Sequence, residues 1–193
     1  MMDHYILKIN EKLIIKLPLI KTDTFGYYSF NMMGMAKWNR VFGQELFEII
    51  QNQNEGKDIN AIVTVESKAI GLAQVLAELF DVDKYIIFRK SKKSYMKNPI
   101  EFKSNTIISG DCSYWIELED LKYLQEKNIL VVDDVVSTGG TIRAILNALN
   151  LVNTKPKLIA CAVTEKTKWT QFESITLVSC GHIPILEGED YYD

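Results

Sequence analysis

Between Val131 and Thr141 the chain reads Val-Val-Asp-Asp-Val-Val-Ser-Thr-Gly-Gly-Thr. Apolar residues lead into two adjacent carboxylates, Asp133 and Asp134. Ser137, Thr138 and Thr141 then offer hydroxyls, and Gly139 and Gly140 allow a backbone to approach a ligand closely. If a helix opens at these glycines, its free N–H groups and its dipole favour an anion at the same spot. This is the chemistry of a phosphate cradle with a carboxylate pair beside it. Carboxylates repel phosphate, so the acids must face another part of the ligand, either sugar hydroxyls or a cation that the ligand carries. Two more stretches suit anions. Glu66, Ser67 and Lys68 follow one apolar run, and Arg89 and Lys90 follow another. From Arg89 to Lys97 five of nine residues are cationic, on a chain of net charge −3. That contrast describes a focused anion site better than a coat for nucleic acid. Arg89 suits two-pronged phosphate contacts. Lys92, Lys93 and Lys97 read either as solvated or as part of a lid.

These residues need a scaffold that gathers them. Short apolar runs at Ala61–Val65, Tyr85–Phe88, Ile129–Val132, Leu158–Val163 and Ile175–Val178 alternate with helical spacing at Met35–Gln53, Ile70–Phe80, Glu119–Gln125 and from Gly139 to Leu149. The alternation predicts an α/β fold, a mostly parallel sheet with helices on both faces and right-handed crossovers. Ligands in such sheets bind beyond the carboxyl ends of the strands, and all three polar stretches sit there. Tyr5–Ile9 and Leu13–Leu17 flank Asn-Glu-Lys and predict an N-terminal hairpin. From Lys90 to Glu117 the chain turns polar. Ile100–Ile108 and Cys112–Leu118, joined by Ser-Gly-Asp, predict an extended hairpin or a mobile loop that closes over a site.

Other classes find little support. There is no GxxxxGK[ST] and no GxGxxG after a strand, which argues against a P-loop nucleotidase or a dinucleotide fold. Cys112, Cys161 and Cys180 are far apart and form no CxxC, so neither a disulfide framework nor a zinc site is expected; each reads as a small buried hydrophobe. His4 and His182 lack partners at useful spacing. With 193 residues, 47% of them hydrophobic, and no long apolar run, the chain suits one domain in the cytoplasm without a membrane span.

Val131–Thr141 resembles the phosphoribosyl pyrophosphate motif of type I phosphoribosyltransferases: apolar residues, two acids, a short gap, then Thr-Gly-Gly-Thr. The resemblance implies that Asp133 and Asp134 bind the ribose hydroxyls and help hold Mg2+ through the ligand. It implies that Val136, Ser137, Thr138, Gly139, Gly140 and Thr141 wrap the 5-phosphate. Glu66, Ser67 and Lys68 resemble the pyrophosphate loop of the adenine-type branch, often with a cis peptide, here at Glu66-Ser67 or Ser67-Lys68. Arg89 and Lys90 would supply cations to the same group. Leu17-Pro18 and Ser29–Gly34 resemble that branch's hood, where an aromatic residue stacks on the base; Phe25, Tyr27, Tyr28 and Phe30 are the rings available. The branch also carries a glutamate in its lid. Glu101 and Glu117 are the acids here, outside the family's Leu-Glu-Tyr context, and Glu101 is taken as the catalytic one. Glu165-Lys166 resembles the xanthine branch instead, where Lys166 would approach an oxo group. The resemblance covers most of residues 13–165. It implies one domain over 1–193, with a hood at 1–34, a flexible lid at 90–117 and a tail at 185–193. It implies a homodimer whose partners are phosphoribosyl pyrophosphate and a purine base, with neither nucleic acid nor membrane. The expected activity is purine salvage, adenine first. The alternatives are xanthine or hypoxanthine, or a non-catalytic regulator that binds phosphoribosyl pyrophosphate.

Overall fold

In a computed structural model, residues 3–106 and 110–187 are described. Strands β1 (His4–Asn10) and β2 (Leu13–Lys21) form the expected N-terminal hairpin. Period-two alternation sets its faces: Leu13, Ile15 and Leu17 are buried while Ile14 is exposed. Strand β3 (Phe25–Tyr28) pairs antiparallel with β2. Helix α1 (Ala36–Gln51) comes next and buries Val41, Phe42, Leu46 and Ile50, one apolar stripe at helical spacing.

The central sheet then begins with β4 (Ala61–Val65), whose five residues are all buried. Next come α2 (Ile70–Leu79) and β5 (Tyr85–Phe88), then a second hairpin, β6 (Pro99–Thr106) and β7 (Gly110–Glu117). Helix α3 (Leu118–Tyr123) leads to β8 (Ile129–Val136), α4 (Gly140–Asn150) and β9 (Leu158–Glu165). The chain continues through β10 (Gln171–Phe172), β11 (Ile175–Ile183) and β12 (Ile185–Glu187). The sheet order is β10-β11-β9-β8-β4-β5, parallel except for the short β10. Helices α1 and α2 fill one face, with Leu46, Ile50, Leu72 and Leu76 in a shared cluster. Helix α4 and the second hairpin fill the other, through Ile142, Ile145, Phe102 and Ile116. Two-sided burial explains why these strands read as unbroken apolar runs.

Three expectations change. Strand β8 does not stop at Val132. Pairing with β9 continues through Asp133↔Cys161, Val135↔Val163 and Val136↔Thr164, because the β-branched valines after the acids suit the ladder. The acid pair therefore lies within the last pleats of the strand, not after it. Residues 185–187, expected as the start of a tail, form β12 and pair with β3 (Ile185↔Tyr27, Leu186↔Gly26). The hood sheet thus runs β1-β2-β3-β12. Lastly, the expected lid has a docked inner face. Phe102, Tyr114 and Ile116 are buried, Phe102 lies 6.3 Å from the Phe88 ring, and Arg89 exchanges backbone hydrogen bonds with Trp115 at 2.8 and 2.7 Å. The 107–109 part of that hairpin and the tail from 188 onward fall outside the described residues.

Candidate active site

The carboxyl ends of β4, β5, β8 and β9 lie side by side in the sheet, so the loops leaving them converge. After β8, Val136 is 1% exposed and closes the apolar floor. Gly139 then adopts φ 75°, ψ 10°, a left-handed conformation that costs a residue with a Cβ roughly 1–2 kcal/mol. A Cβ there would also sit 2.1 Å from Phe172 Cε2. Backbone shape and space both demand glycine. As the N-cap of α4, Gly139 offers no side chain to the first N–H groups, and the first helical turn holds no acid. A helix start of this kind, without a side-chain cap, is suited to an anion. Thr141 Oγ1 lies 3.2 Å from the Tyr114 hydroxyl, which links the helix start to the second hairpin.

The two acids are unequal. Asp133 is 4% exposed, and its carboxylate accepts the Asp134 N–H at 2.9 Å. Burial first, then the neighbouring Asp134, pushes the Asp133 carboxyl well above the usual range, with Lys90 opposing. Asp134 is half-buried and lines an open cavity of about 440 Å³. The same cavity is bounded by Phe25 and Tyr27 of the hood, by Lys68, by Ser137 and by Glu165. The Phe25 and Tyr27 rings stand 6.1 Å apart and tilted. Neither acid forms an ion pair with another described residue.

On the β4 side the Glu66–Ser67 peptide is cis. Glu66 accepts the Lys90 N–H at 3.0 Å and faces Arg89 at 3.7 Å and Lys93 Nζ at 3.5 Å. Burial alone would raise its carboxyl. The Lys90 N–H and the Lys93 and Arg89 charges outweigh this and hold it below the ordinary value. Lys68, two residues on, is exposed beside the cavity.

A sequence profile of the phosphoribosyl transferase domain matches residues 40–191. The chain belongs to the phosphoribosyltransferase family. Among curated relatives, a protein named hypoxanthine/guanine phosphoribosyltransferase from Methanotorris igneus is 30% identical over 154 residues, spanning 79% of this chain and 80% of its own. One named xanthine phosphoribosyltransferase from Clostridium tetani is 25% identical over 141 residues, spanning 72% and 70%. Among solved structures, the APRTase from Giardia lamblia complexed with 9-deazaadenine superposes with a TM-score of 0.66 at 16% identity, over 86% of this chain and 93% of that one. The adenine phosphoribosyltransferase from Thermoanaerobacter pseudethanolicus gives 0.60 at 18% identity, over 72% and 80%. At these identities the structural likeness is one of fold, the type I phosphoribosyltransferase fold that the Val131–Thr141 motif implied.

In this phosphoribosyltransferase, Asp134, Ser137, Lys68, Phe25 and Tyr27 meet at one cavity. Phe30 touches its edge, but it is 7% exposed and packed on Trp38 and Phe42 at 5.8 and 5.7 Å, so it is chiefly hood core. Asp133 lies behind Asp134, and Arg89 and Lys90 meet Glu66. Glu101 is not brought to the cavity. Its neighbour Phe102 faces the core, so alternation turns Glu101 outward, where it accepts the Ser113 hydroxyl. Glu117 accepts the Lys97 and Asn98 N–H groups at 2.6 and 3.0 Å, staying within its own loop. Lys166 is bound to Glu187 at 2.8 Å, whereas the Glu165 carboxylate makes no hydrogen bond or ion pair to a described residue. Burial pushes the Cys161 thiol up and the Cys180 thiol to about 12, consistent with unreactive packing groups. Sequence reasoning missed Ile185, which lines the cavity from β12; the apolar pair Ile185-Leu186 after Pro184 was its only local signal.

Proposed function

We propose that this phosphoribosyltransferase joins a purine base to the ribose of phosphoribosyl pyrophosphate, giving a nucleoside monophosphate and pyrophosphate. One observation carries the reading: a single cavity bounded by hood rings on one side and by Asp134 and Ser137, in the loop that leads into α4, on the other. A base against Phe25 and Tyr27 gains area and stacking. The ribose hydroxyls then donate to Asp134, and the 5-phosphate takes the N–H groups from Ser137 to Thr141. Lys68 stands near the leaving pyrophosphate. As ribose C1 gains positive charge, the two carboxylates below it supply a favourable field, and the fixed pocket supplies orientation.

Among the described residues no cluster of three metal-ligating side chains exists. Two adjacent acids nevertheless fit Mg2+, which is held by one or two carboxylates plus substrate phosphates. Asp134, with Asp133 behind it, would hold the ion as it arrives with the ligand, and its charge would stabilise the departing pyrophosphate.

For the base we favour a 6-oxopurine over the adenine expected from the hood. The Methanotorris and Clostridium relatives support this by their names, and so does Glu165. A carboxylate accepts the N1–H of a 6-oxopurine, whereas adenine presents an acceptor at N1. The homodimer and the cytoplasmic setting stay within this reading, and sedimentation tests the first.

The experiment is a panel of guanine, hypoxanthine, xanthine and adenine with phosphoribosyl pyrophosphate and Mg2+, read by pyrophosphate release. A 6-oxopurine should turn over fastest. Turnover of adenine alone would reverse the base choice. Ligand binding with no turnover of any base would make the protein a regulator.

A further inference from the structure

Behind the phosphate loop, three side chains converge that do not line the cavity. The Trp169 Nε1–H donates to the Ser137 carbonyl at 2.8 Å. The indole lies 5.3 Å from the Phe172 ring, and Phe172, 2% exposed, fills the space beside Gly139. The Arg143 guanidinium stands over the same ring at 5.0 Å and donates to the Thr138 carbonyl at 3.4 Å.

A peptide unit is planar and trans, so its C=O and N–H point in opposite directions. A Ser137 carbonyl held toward Trp169 turns the Thr138 N–H the other way. A Thr138 carbonyl held toward Arg143 does the same for the Gly139 N–H. From this we infer that Trp169 is a positioning residue: it fixes the Ser137–Thr138 peptide so that the Thr138 N–H faces the ligand's phosphate, with Arg143 supporting the next peptide. Donors fixed before binding need no reorganisation when the anion arrives. Phe172 makes the arrangement stiff, because it packs on Trp169 and leaves Gly139 no room to swing. The inference rests on the phosphate reading of this loop.

The test compares wild type with Trp169→Phe, Trp169→His and Trp169→Ala by steady-state kinetics and thermal melting. Phenylalanine keeps the ring against Phe172 and removes the donor; histidine keeps a ring and an N–H. One net hydrogen bond corresponds to a change of about 2–13-fold. Trp169→Phe should therefore raise KM for phosphoribosyl pyrophosphate by about that factor, with KM for the base and kcat within about twofold and a melting temperature lowered by no more than about 6 °C, the scale of the one lost bond. Trp169→His should recover part of the loss. The inference is overturned if Trp169→Phe behaves as wild type and only Trp169→Ala is impaired, since packing alone then suffices. It is also overturned if both KM values and kcat shift together with the melting temperature. Wild-type protein that neither binds nor turns over phosphoribosyl pyrophosphate would instead refute the reading of the loop, and this inference with it.

Discussion

Gly139→Ala should be among the costliest single-methyl additions in this chain, and its cost separates into two measurable parts. At φ 75° an added Cβ brings the left-handed penalty, roughly 1–2 kcal/mol. It would also lie 2.1 Å from Phe172 Cε2, against about 3.5–4.0 Å for a relaxed carbon contact. Phe172 cannot yield freely, with Trp169 on one side and the Arg143 guanidinium over its ring. Forcing such overpacking costs typically about 1–3 kcal/mol. Together, about 2–5 kcal/mol is expected, a large part of the roughly 5–15 kcal/mol that holds an ordinary domain. Urea unfolding of wild type, Gly139→Ala, Phe172→Ala and the double variant tests the partition. Phe172→Ala alone should cost about 3–5 kcal/mol through the cavity it leaves. In the double variant the clash has gone while the unfavourable φ remains. The double should therefore be more stable than the sum of the singles by about 1–3 kcal/mol. Additivity to within about 0.5 kcal/mol would show that Phe172 neither bars a side chain here nor stiffens the loop.

The other expectations concern the acids. Asp133→Asn should melt higher than wild type at pH 7.5. Burial raises the folded carboxyl above its ordinary 3.8, so wild type loses stability as pH climbs from that value through the folded one; below it both forms are neutral and the melts should converge. Enzymatic activity should fall in the same variant, a gain in stability accompanying a loss of function. Asp134→Asn should lower kcat/KM for phosphoribosyl pyrophosphate by about 10–100-fold, the scale of one charge-assisted hydrogen bond, with a melting temperature no lower than that of wild type because the repulsion on Asp133 is relieved. Glu165→Gln should shift the base panel, lowering kcat/KM for guanine relative to xanthine, because an amide can donate to a 2-oxo group; an equal change for all four bases would remove Glu165 from base selection.

The parts of the fold that could be read from the chain are those where local pattern and tertiary environment agree. Ala61–Val65 and Tyr85–Phe88 are bounded by polar residues and covered on both faces, so their apolar runs coincide with the strands. The loop from Ser137 to Thr141 was legible because glycine is needed there for backbone reasons that leave a mark in sequence. Strand β8 was read short because two aspartates look like an ending, whereas the partner that accommodates them, β9, lies more than twenty residues downstream. Glu101 was unreadable for a different reason. Which face of a hairpin points outward depends on register, and a shift of one residue reverses every side chain. The Trp169–Ser137 hydrogen bond spans 32 residues and has no local signature at all.

The cavity's walls are supplied at very different points along the chain. Asp134 and Ser137 precede α4, whereas Ile185, beside Tyr27, comes from β12. A nascent chain that has emerged only to Ile183 already carries Asp134 and Ser137, yet the strand carrying Phe25 and Tyr27 still has an open edge. The two halves of the pocket should therefore mature in sequence during synthesis, the wall of Asp134 and Ser137 before the wall of hood rings.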